Sequence, residues 1–342
     1  MTLEEFLDTW HSPSETLLVH TSGSTGTPKP MLVEKRRMLN SAKITCDFLG
    51  LKPGDAALLC MSLDYIAGKM MVVRSLERGL KLISVKPSGH PLSAESLKNA
   101  NDAAWKQGIT FAAMVPMQVY NTLQVSEERE RLTHIKHLII GGGAIDSALE
   151  AELRSLSGDI AIWSTYGMTE TLSHIALRRI NGKEASEWYQ PFDSVKVSQT
   201  EEGCLVIDAP LVCKQPLVTN DIVEIQPYIY NKVCAKGVRF RIKGRKDNVI
   251  CSGGIKIQIE EVENLLKPHL QKPFMLAKKK DEKFGEIAVL LTEDGDLKKV
   301  EATVRRLLSD NSKKYWIPRE YIHVESLPLT ETGKPKRACL LR

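Results

Sequence analysis

The chain has 342 residues, of which 42% are hydrophobic and 26% are charged. That length predicts about two domains, and the composition is that of a folded globular protein, which excludes a disordered tail or a fibrous repeat as the main architecture. The formal net charge of +5 gives no strong attraction to nucleic acid, although it suits an anionic small-molecule substrate.

Two further features of the composition predict where the protein works. No apolar run approaches the roughly 20 residues that span a bilayer, and the first segment, MTLEEFLDTW, is acidic where a secretory signal is basic. We therefore expect a cytoplasmic protein without a membrane-inserted segment. The 7 cysteines include no C-x-x-C spacing, which predicts reduced packing residues and neither a zinc cluster nor a disulfide framework.

Residues 16–165 alternate short apolar runs with longer amphipathic ones, a pattern typical of an α/β domain with a largely parallel sheet. Helices are predicted over 35–49 and 66–78, and each is followed by a glycine suited to a helix C-cap, Gly50 and Gly79. The candidate strands of this sheet are 16–20, 56–61, 80–85, 109–115, 137–142 and 159–164.

The pattern changes in the second half of the chain. Short alternating runs separated by Gly, Pro and Asn predict a β-rich subdomain over 173–246. A small α+β domain is predicted over 247–342, with a hairpin at VICSGGIKI and a β pair flanking KKKDEKFGE. The mixed charges of 278–283 predict a solvated turn. We thus expect one domain over 1–246, with its α/β core ending at about 172, and a second domain over 247–342.

The segment HTSGSTGTPKP (20–30) combines glycines, hydroxyl side chains and one lysine directly after a predicted strand. Glycines let backbone N–H groups converge on an anion, and hydroxyl and ammonium groups add donors, so the segment is suited to binding phosphate. A Walker A loop has glycine immediately before its lysine, whereas Pro28 stands there, which argues against an ordinary P-loop ATPase. A flexible surface turn is the competing interpretation.

A second cluster, STYGMTE (164–170), also follows a predicted strand. Tyr166 is suited to stacking on a flat base, and the Thr169 hydroxyl to donating to a phosphate oxygen. Glu170 is suited to holding Mg²⁺, which prefers carboxylate and phosphate ligands together. Taken alone, the same residues fit a strand end followed by a helix N-terminus.

Three more segments complete an ordered pattern: TND (219–221), KGRKDNVICSGGIKIQIEEVE (243–263) and LPLTETGKPKR (327–337). Together the five segments resemble the core motifs of the acyl-adenylate-forming superfamily, which comprises acyl-CoA synthetases, carrier-domain adenylation enzymes and luciferases. The resemblance extends from about Thr16 to the C-terminus. It implies an adenylate-forming α/β fold with a shortened N-terminal domain, a β-rich subdomain and a small mobile α+β C-terminal domain.

The resemblance also implies a two-step reaction with ATP, Mg²⁺ and, as co-substrate, CoA. A carboxylate attacks the α-phosphorus of ATP, pyrophosphate leaves, and the acyl adenylate then meets a thiol; stabilising charge on the phosphoryl groups is the main chemical demand. The implied β,γ-phosphate loop is Thr21, Ser22, Gly23, Ser24, Thr25, Gly26 and Lys29, and the implied nucleotide-binding residues are Gly142, Gly143, Ala144, Tyr166, Gly167, Asp221 and Arg245.

Further roles are implied for the reacting groups and for the C-terminal domain. Thr169 and Glu170 match the α-phosphate and Mg²⁺ residues, and Lys334 matches a mobile lysine that reaches the α-phosphate during adenylation. Asp247 matches the hinge about which the C-terminal domain turns between the half-reactions. Ser252, Gly253 and Gly254 match the loop that lines the channel for the pantetheine arm.

The chain departs from the family pattern in three places. Pro30 follows the loop lysine where glycine is usual, which removes an N–H group. Asn220 replaces the usual glycine before Asp221, a mild change if the residue is left-handed, a conformation that Asn tolerates. The phosphate loop begins at residue 21, whereas the family usually has a large portion ahead of it, so we expect exposed apolar surface that favours self-association into a homo-oligomer.

The segment MSLDYIAGKMMVVRSLERG (61–79) lies where the family places its acid-pocket helix. It resembles the o-succinylbenzoate:CoA ligases of menaquinone synthesis, with Tyr65 at a gate position and Gly68 and Lys69 as further substrate residues. o-Succinylbenzoate has two carboxylates, and the unreactive one needs a partner because an unpaired buried charge is heavily penalised. We expect Lys69 to be that partner, ahead of Arg74; in the competing interpretation both cations point to solvent.

The same motifs are compatible with other functions. Another aryl- or fatty-acyl-CoA synthetase shares every motif, and so does an enzyme that loads a carrier protein. A non-catalytic nucleotide-binding remnant is a third alternative, but such a remnant should have lost Lys334 or Glu170, and both are present. We therefore favour an active enzyme that acts on a small carboxylic acid, with o-succinylbenzoate as the expected substrate.

Overall fold

The computed structural model describes residues 1–20, 30–101, 103–156, 158–230, 235–310 and 313–328. The chain divides into two compact units, the first formed by 1–197, 207–217 and 226–240, and the second by 198–206, 218–225 and 241–342. The domain boundary at Asp247 and the motion about it stay predictions. No helix in the described ranges is both long enough and apolar enough to span a bilayer.

The helices and strands are numbered in chain order. The helices are α1 (Leu3–His11), α2 (Lys35–Leu49), α3 (Ile66–Arg78), α4 (Ala94–Lys98), α5 (Pro116–Leu123), α6 (Ser126–Thr133), α7 (Ser147–Ser155), α8 (Ile259–Leu266) and α9 (Leu297–Leu307). The strands are β1 (Thr16–His20), β2 (Pro30–Glu34), β3 (Ala56–Leu59), β4 (Lys81–Ser84), β5 (Phe111–Met114), β6 (His137–Ile140), β7 (Ala161–Gly167), β8 (His174–Arg179), β9 (Gln190–Pro191), β10 (Lys196–Gln199), β11 (Cys204–Asp208), β12 (Leu217–Tyr230), β13 (Ala235–Arg245), β14 (Val249–Ser252), β15 (Ile255–Gln258), β16 (Phe274–Asp281), β17 (Gly285–Thr292) and β18 (Glu320–His323).

A seven-stranded sheet with the order β4-β3-β5-β6-β7-β8-β9 organises the first unit. The first five of these strands are parallel, and β8 and β9 are antiparallel. All four residues of β3 and of β5 are buried, as is typical of a parallel sheet covered on both faces. The predicted α/β architecture is confirmed, and α2 and α3 end at left-handed Gly50 and Gly79 as predicted.

The first predicted strand does not belong to this sheet, and that part of the prediction is wrong. Strand β1 pairs antiparallel with β2 in a separate two-stranded sheet, in which His20 lies opposite Pro30. Its burial alternates along the strand, with Leu17 and Val19 buried and Leu18 52% exposed. A strand with one exposed face suits an antiparallel ribbon, whereas the parallel strands are buried on both faces.

The β-rich stretch forms a four-stranded sheet with the order β10-β11-β12-β13. This sheet begins at Lys196, later than the predicted residue 173, because β8 and β9 extend the seven-stranded sheet instead. Asn220 lies within β12, and Leu172 is the sole non-glycine residue with positive φ among those described. The left-handed conformation considered for Asn220 is therefore wrong, because extended backbone continues through it.

The C-terminal part of the second unit packs α8 and α9 against a five-stranded sheet, in which β15, β14, β17 and β16 are neighbours and β18 pairs with β17. Its core includes Ile250, Val262, Leu276, Leu290 and Val304. The predicted VICSGGIKI hairpin and the β pair around KKKDEKFGE are both confirmed. The three lysines of 278–280 lie inside β16, so the predicted turn is shorter than 278–283.

Candidate active site

Two groups of predicted site residues lie outside the described residues. They are the phosphate loop, Thr21, Ser22, Gly23, Ser24, Thr25, Gly26 and Lys29, and the mobile lysine, Lys334. Their roles stay predictions.

The glycine-rich segment 141–143 directly follows strand β6 and lies close to Thr165 and Val115. A Cβ atom on Gly141 would come within 2.4 Å of the Thr165 Oγ1, and one on Gly142 within 3.3 Å of a Val115 methyl group. Gly142 also has φ +79°, which side chains rarely adopt. Glycine is therefore required here by close packing as well as by backbone conformation. Ala144 follows directly.

Tyr166, near the end of β7, is buried in an aromatic cluster. Its ring centroid lies 5.1 Å from that of Phe240, edge to face, and 5.9 Å from that of Tyr189. The Tyr189 hydroxyl in turn forms a 2.8 Å hydrogen bond with the Ser164 hydroxyl. These contacts hold the end of β7 rigidly at the carboxyl edge of the parallel sheet, the edge where α/β folds bind ligands.

The turn after β7 carries the two residues expected to contact phosphate and Mg²⁺. Gly167 permits the turn, because a Cβ there would lie 2.2 Å from the Ser173 carbonyl oxygen. Thr169 and Glu170 stand on a short 3₁₀ turn, in which Thr169 is buried and Glu170 is exposed. The Thr171 hydroxyl fixes this turn by accepting from the Met168 N–H at 3.0 Å.

The backbone after this turn is strained. Leu172 is buried and has φ +64° and ψ −36°. The Ser173 N–H donates to the Thr171 carbonyl at 2.7 Å, which closes a γ-turn centred on Leu172. Such a conformation costs of order 1–3 kcal/mol and persists only where its surroundings impose it.

The donor chemistry at Glu170 fits Mg²⁺ shared with a nucleotide. Mg²⁺ is commonly held by one or two carboxylates and completes its shell with phosphate oxygens and water. Glu170 supplies one exposed carboxylate beside the Thr169 hydroxyl. Within the described ranges, no cluster of three or more His, Cys, Asp or Glu side chains forms a metal cage.

The predicted acid-pocket helix, α3, is preceded by its N-cap residue Tyr65, whose side chain is 52% exposed. Gly68 allows a tight backbone approach, since a Cβ there would lie 2.3 Å from the Ser62 carbonyl oxygen. The buried Lys69 ammonium donates to the carbonyls of Leu63 at 2.6 Å and Asp64 at 3.2 Å. Burial lowers the pKa of Lys69, against the opposing charge of Asp64. Lys69 is therefore already engaged with the loop before α3.

Arg74, on the same helix, is buried deeper and is less satisfied. Its Nη2 donates to the Ser173 hydroxyl at 2.6 Å and its Nη1 to the Met71 sulfur at 3.7 Å. Its buried Nε has no hydrogen-bond partner, and no carboxylate pairs with it within the described part of the chain. Burial lowers the pKa of Arg74 to about 10. Lys69 and Arg74 are thus both buried, so the interpretation in which they point to solvent does not hold.

A chain of hydrogen bonds continues from Arg74. The Ser173 hydroxyl lies 3.2 Å from His174 Nδ1, and His174 Nε2 lies 3.0 Å from the Thr45 hydroxyl, which donates to the Ser41 carbonyl. Because the Thr45 hydroxyl donates to Ser41, it accepts from the Nε2–H of His174, and in a neutral ring Nδ1 then accepts from the Ser173 hydroxyl. Burial, with the Arg74 charge as a smaller cause, holds the pKa of His174 well below its usual value.

Asp221, Arg245 and Asp247 come together in the second unit. Arg245 donates to Asp221 at 3.4 Å and to Asp247 at 3.0 Å. The Asn220 amide donates to Asp247 at 3.2 Å, a bond that the family's usual glycine could not form. The predicted ribose residues and the predicted hinge residue therefore form one polar cluster.

The predicted channel loop is a tight hairpin turn in the second unit. Ser252 pairs with Ile255, and Gly253 and Gly254 connect them with φ +56° and +85°. Two central residues with positive φ are typical of the turn that joins adjacent antiparallel strands. A Cβ on Gly253 would lie 3.3 Å from the Phe284 ring, whereas one on Gly254 would meet no atom within 4 Å.

The sequence did not indicate that Ser173 and His174 belong to the hydrogen-bond chain that begins at Arg74. The sequence gives only a weak indication of this, because a serine and a histidine in that position are also compatible with the start of an ordinary strand. Arg74 was named with Lys69 as a candidate, and an arginine directly after the apolar run MMVV was the available sign of a buried charge.

Comparison with known proteins identifies the family of this chain. A family model described as AMP-binding enzyme matches residues 8–208. The chain is 32% identical to a solved structure from Dyadobacter fermentans, an acyl-CoA synthetase (AMP-forming)/AMP-acid ligase II-like protein. That likeness covers 97% of this chain and 91% of the other, with a TM-score of 0.62.

Two curated relatives are longer than this chain. It is 28% identical to the 2-succinylbenzoate–CoA ligase of Haemophilus influenzae, over 80% of this chain and 58% of the relative. It is 25% identical to a plipastatin synthase protein of Bacillus subtilis, over 94% of this chain and 13% of the relative. The chain thus spans less than two thirds of the length of each. Because the family model covers more than half of its 342 residues, the chain belongs to the AMP-binding enzyme family, the acyl-adenylate-forming ligases.

Proposed function

We propose that the chain is an AMP-forming acid–thiol ligase that activates a dicarboxylic aryl acid. In the first half-reaction a carboxylate oxygen attacks the α-phosphorus of ATP, forming acyl-AMP as the bond to pyrophosphate breaks. In the second, the thiol sulfur of CoA attacks the acyl carbon, forming a thioester and releasing AMP and the thiol proton. The observation that carries the proposal is the link between Arg74 on the acid helix and the turn that bears Thr169 and Glu170, made through Ser173.

The residues of the turn are suited to adenylation. Thr169 offers a buried hydroxyl donor for an α-phosphate oxygen, where charge grows in the transition state. Glu170 would hold Mg²⁺ together with phosphate oxygens, and the ion would supply charge neutralisation to the departing pyrophosphate. The neighbouring 141–144 segment offers a flat wall without bulky side chains for the adenine base.

The remaining nucleotide contacts rest on family resemblance. Asp221 suits the vicinal ribose hydroxyls, because a carboxylate accepts two hydrogen bonds at once. Arg245 holds that carboxylate in place through its 3.4 Å contact. Lys334 and the loop containing Lys29 would supply cations to the α-phosphate and to the β,γ-phosphates.

The structure favours Arg74 over Lys69 as the anchor for the unreactive carboxylate. Lys69 already donates to two backbone carbonyls. Arg74 keeps a buried N–H without a partner, and a buried guanidinium without a counter-ion is strongly destabilised. A bound carboxylate would supply the missing counter-ion, preferably in the two-pronged geometry that guanidinium allows. o-Succinylbenzoate offers one carboxylate for this contact and one for reaction, and the Haemophilus influenzae relative supports that choice.

The test is ATP–pyrophosphate exchange with o-succinylbenzoate, benzoate and a medium-chain fatty acid, followed by addition of CoA. We expect exchange to be fastest with o-succinylbenzoate and a CoA thioester to form afterwards. If another acid supports exchange and o-succinylbenzoate does not, the proposed substrate is wrong but the proposed adenylation chemistry stands. Absence of exchange with every acid would overturn the proposed function. Transfer to a phosphopantetheinylated carrier protein, and not to CoA, would favour the alternative suggested by the plipastatin synthase relative.

A further inference from the structure

We propose that a cleft in the first unit, outside the candidate active site, binds a flat aromatic ligand that carries two negative charges. The cleft has a volume of about 350 Å³, and we call it the Trp105 cleft. It lies between α4, the chain just after α4 with its short 3₁₀ turn over Ala103–Gln107, and α6. Its lining residues include Leu97, Lys98, Ala100, Trp105, Lys106 and Arg131. None of them binds the nucleotide, the acid or the thiol in the proposed function, so the site is independent of that function.

The Trp105 cleft adjoins the segment that covers the outer side of β4, the edge strand of the seven-stranded sheet. Asn101 attaches this segment to the strand. Its backbone N–H donates to the Ser84 carbonyl at 3.2 Å, and its side chain donates to the Leu82 carbonyl at 3.3 Å and accepts from the Ser84 N–H at 2.7 Å. Strands β3 and β5 stand between β4 and β6, which leads into the glycine-rich segment 141–143. The cleft is therefore separate from the candidate nucleotide site.

The floor of the cleft is apolar and well supported. Leu97 is buried in the main hydrophobic core of the first unit, and Ala100 and Trp105 pack against that core. Trp105 is only half-buried and lines the cleft. A large aromatic side chain on a packed apolar surface favours a second ring, through burial of apolar area and through offset stacking. The floor is thus suited to a flat aromatic ligand.

The rim of the cleft is positively charged. Its titratable lining residues, within the described part of the chain, are three cations from three different elements: Lys98, Lys106 and Arg131. The Lys106 ammonium lies 5.9 Å from the centroid of the Trp105 ring. A charge that follows the ring so closely is placed to meet an anionic group on a molecule stacked there.

The three cations differ in how far they are already paired. Arg131 donates to the Leu92 carbonyl at 2.9 Å and to the Glu127 carboxylate at 3.3 Å, so a carboxylate balances its charge. Lys98 and Lys106 are exposed, and their side chains form no hydrogen bond or ion pair with the described residues. Glu95, the carboxylate of α4, is exposed and does not line the cleft. Two positive charges thus remain unbalanced at the rim.

This charge balance indicates a dianionic ligand. A cleft lined by charge of one sign concentrates its field and attracts ions of the opposite sign. Two negative charges on the ligand would balance the ammonium groups of Lys98 and Lys106 while the ring packs on Trp105. Two kinds of small molecule have this chemistry, an aromatic dicarboxylate and a nucleoside monophosphate.

The first experiment measures the Kd of the wild-type protein for four probes by titration calorimetry. Naphthalene dicarboxylate and AMP each combine a flat ring with two negative charges. Naphthoate lacks one of the charges, and cyclohexane dicarboxylate lacks the flat ring. We expect naphthalene dicarboxylate or AMP to bind about tenfold more tightly than naphthoate and cyclohexane dicarboxylate, as for one additional charged or stacking contact.

Variants of the rim and the floor assign this binding to the cleft. The double variant Lys98→Ala, Lys106→Ala should weaken binding of the dianionic aromatic probe about tenfold or more, and Trp105→Leu should weaken it as well. Both lysines are exposed, so the double variant should keep the wild-type melting temperature. The control is Lys52→Ala, which removes an exposed lysine outside the cleft and should match wild type. Whichever probe loses affinity in the double variant, naphthalene dicarboxylate or AMP, identifies the kind of ligand.

Arg74→Met distinguishes the cleft from the proposed acid site. A probe in the cleft should bind Arg74→Met as tightly as it binds wild type. Weaker binding to Arg74→Met, together with unchanged binding to the double lysine variant, would place the probe in the acid site and overturn the inference. Equal Kd values of wild type and the double variant for all four probes would also overturn it, as would cyclohexane dicarboxylate binding as tightly as both aromatic dianions. The proposed function is tested separately, by pyrophosphate exchange.

Discussion

The guanidinium of Arg74 and the hydroxyl of Ser173 are 2.6 Å apart, although 99 residues separate them in the chain. This hydrogen bond joins α3 to the segment that follows the Thr169–Glu170 turn. The proposed anchor for the acid and the turn proposed to contact phosphate are therefore joined by one hydrogen bond.

The first prediction concerns Arg74 itself. Arg74→Met should raise the KM for o-succinylbenzoate in pyrophosphate exchange by about 10- to 100-fold, because one charged hydrogen-bonding partner is lost. The KM for benzoate should change little. Because a buried charge without a counter-ion disappears, the melting temperature should be equal to or above that of wild type.

Lys69→Met is the matched control for Arg74→Met. It leaves the carbonyls of Leu63 and Asp64 without their buried donor, so the melting temperature should fall by several degrees. The KM values for o-succinylbenzoate and for benzoate in pyrophosphate exchange should then change by similar factors. If Lys69→Met raises the KM for o-succinylbenzoate selectively and Arg74→Met does not change it, Lys69 is the anchor.

The second prediction concerns acid stability. The pKa of His174 is depressed in the folded protein, so below about pH 6.5 the unfolded chain takes up a proton that the folded chain refuses. Stability from this residue is complete at neutral pH and is lost as the pH falls, by about 1.4 kcal/mol per pH unit. His174→Gln should flatten that part of the stability profile, measured by urea unfolding between pH 7 and pH 5. Identical slopes for both proteins would contradict the assignment.

The third prediction concerns Glu170. Glu170→Gln keeps the size of an exposed side chain and removes its charge, so the protein should melt at the wild-type temperature. The Mg²⁺ concentration for half-maximal exchange should rise about tenfold or more, because one anionic ligand is lost. Unchanged Mg²⁺ dependence with full activity would show that Glu170 does not hold the ion.

The fourth prediction separates the two half-reactions at Lys334. Lys334→Ala should abolish acyl-AMP formation, because the proposed cation for the α-phosphate is removed, while thioester formation from supplied acyl-AMP should be largely spared. Stopped assays with each substrate measure the two steps separately. Lys336→Ala, two residues further on, is the control and should leave both steps near wild type. Equal loss of both steps in Lys334→Ala would refute a role confined to adenylation.

The fifth prediction concerns the channel loop. Gly254→Leu places a side chain where no atom lies within 4 Å, so the fold should survive while the path for the thiol is obstructed. Exchange should be retained and thioester formation lost. Because Gly254 has φ +85°, Gly50→Leu, at φ +64° and equally open, is the control for backbone strain alone. Loss of exchange in folded Gly254→Leu would place the residue elsewhere in the mechanism.

Local sequence signals predicted the local features well. The apolar period and a following glycine set the ends of α2 and α3, since a left-handed residue closes a helix wherever it occurs. The adjacent Gly253 and Gly254 likewise predicted a hairpin turn. These features depend on residues within a few positions of one another, which is why one sequence suffices to predict them.

Features that depend on distant partners were not predictable in this way. Lys69 and Arg74 are both cations on one helix, and what separates them is the presence of loop carbonyls beside one and of Ser173 beside the other. The position of β1 outside the large sheet depends on its pairing with β2. The extended backbone at Asn220 is set by strand β12, which overrides the residue's own conformational preference.

The γ-turn at Leu172 implies an unusual sensitivity to substitution. Glycine would suit φ +64° but would remove a buried side chain that stabilises the fold by about 2–3 kcal/mol, and a β-branched residue would keep the burial while worsening the backbone clash. Glycine would thus exchange strain for lost burial, and a β-branched residue would only increase the strain. The segment after Glu170 is therefore stabilised in part by the burial of a hydrocarbon side chain, and that contribution should depend little on salt or pH.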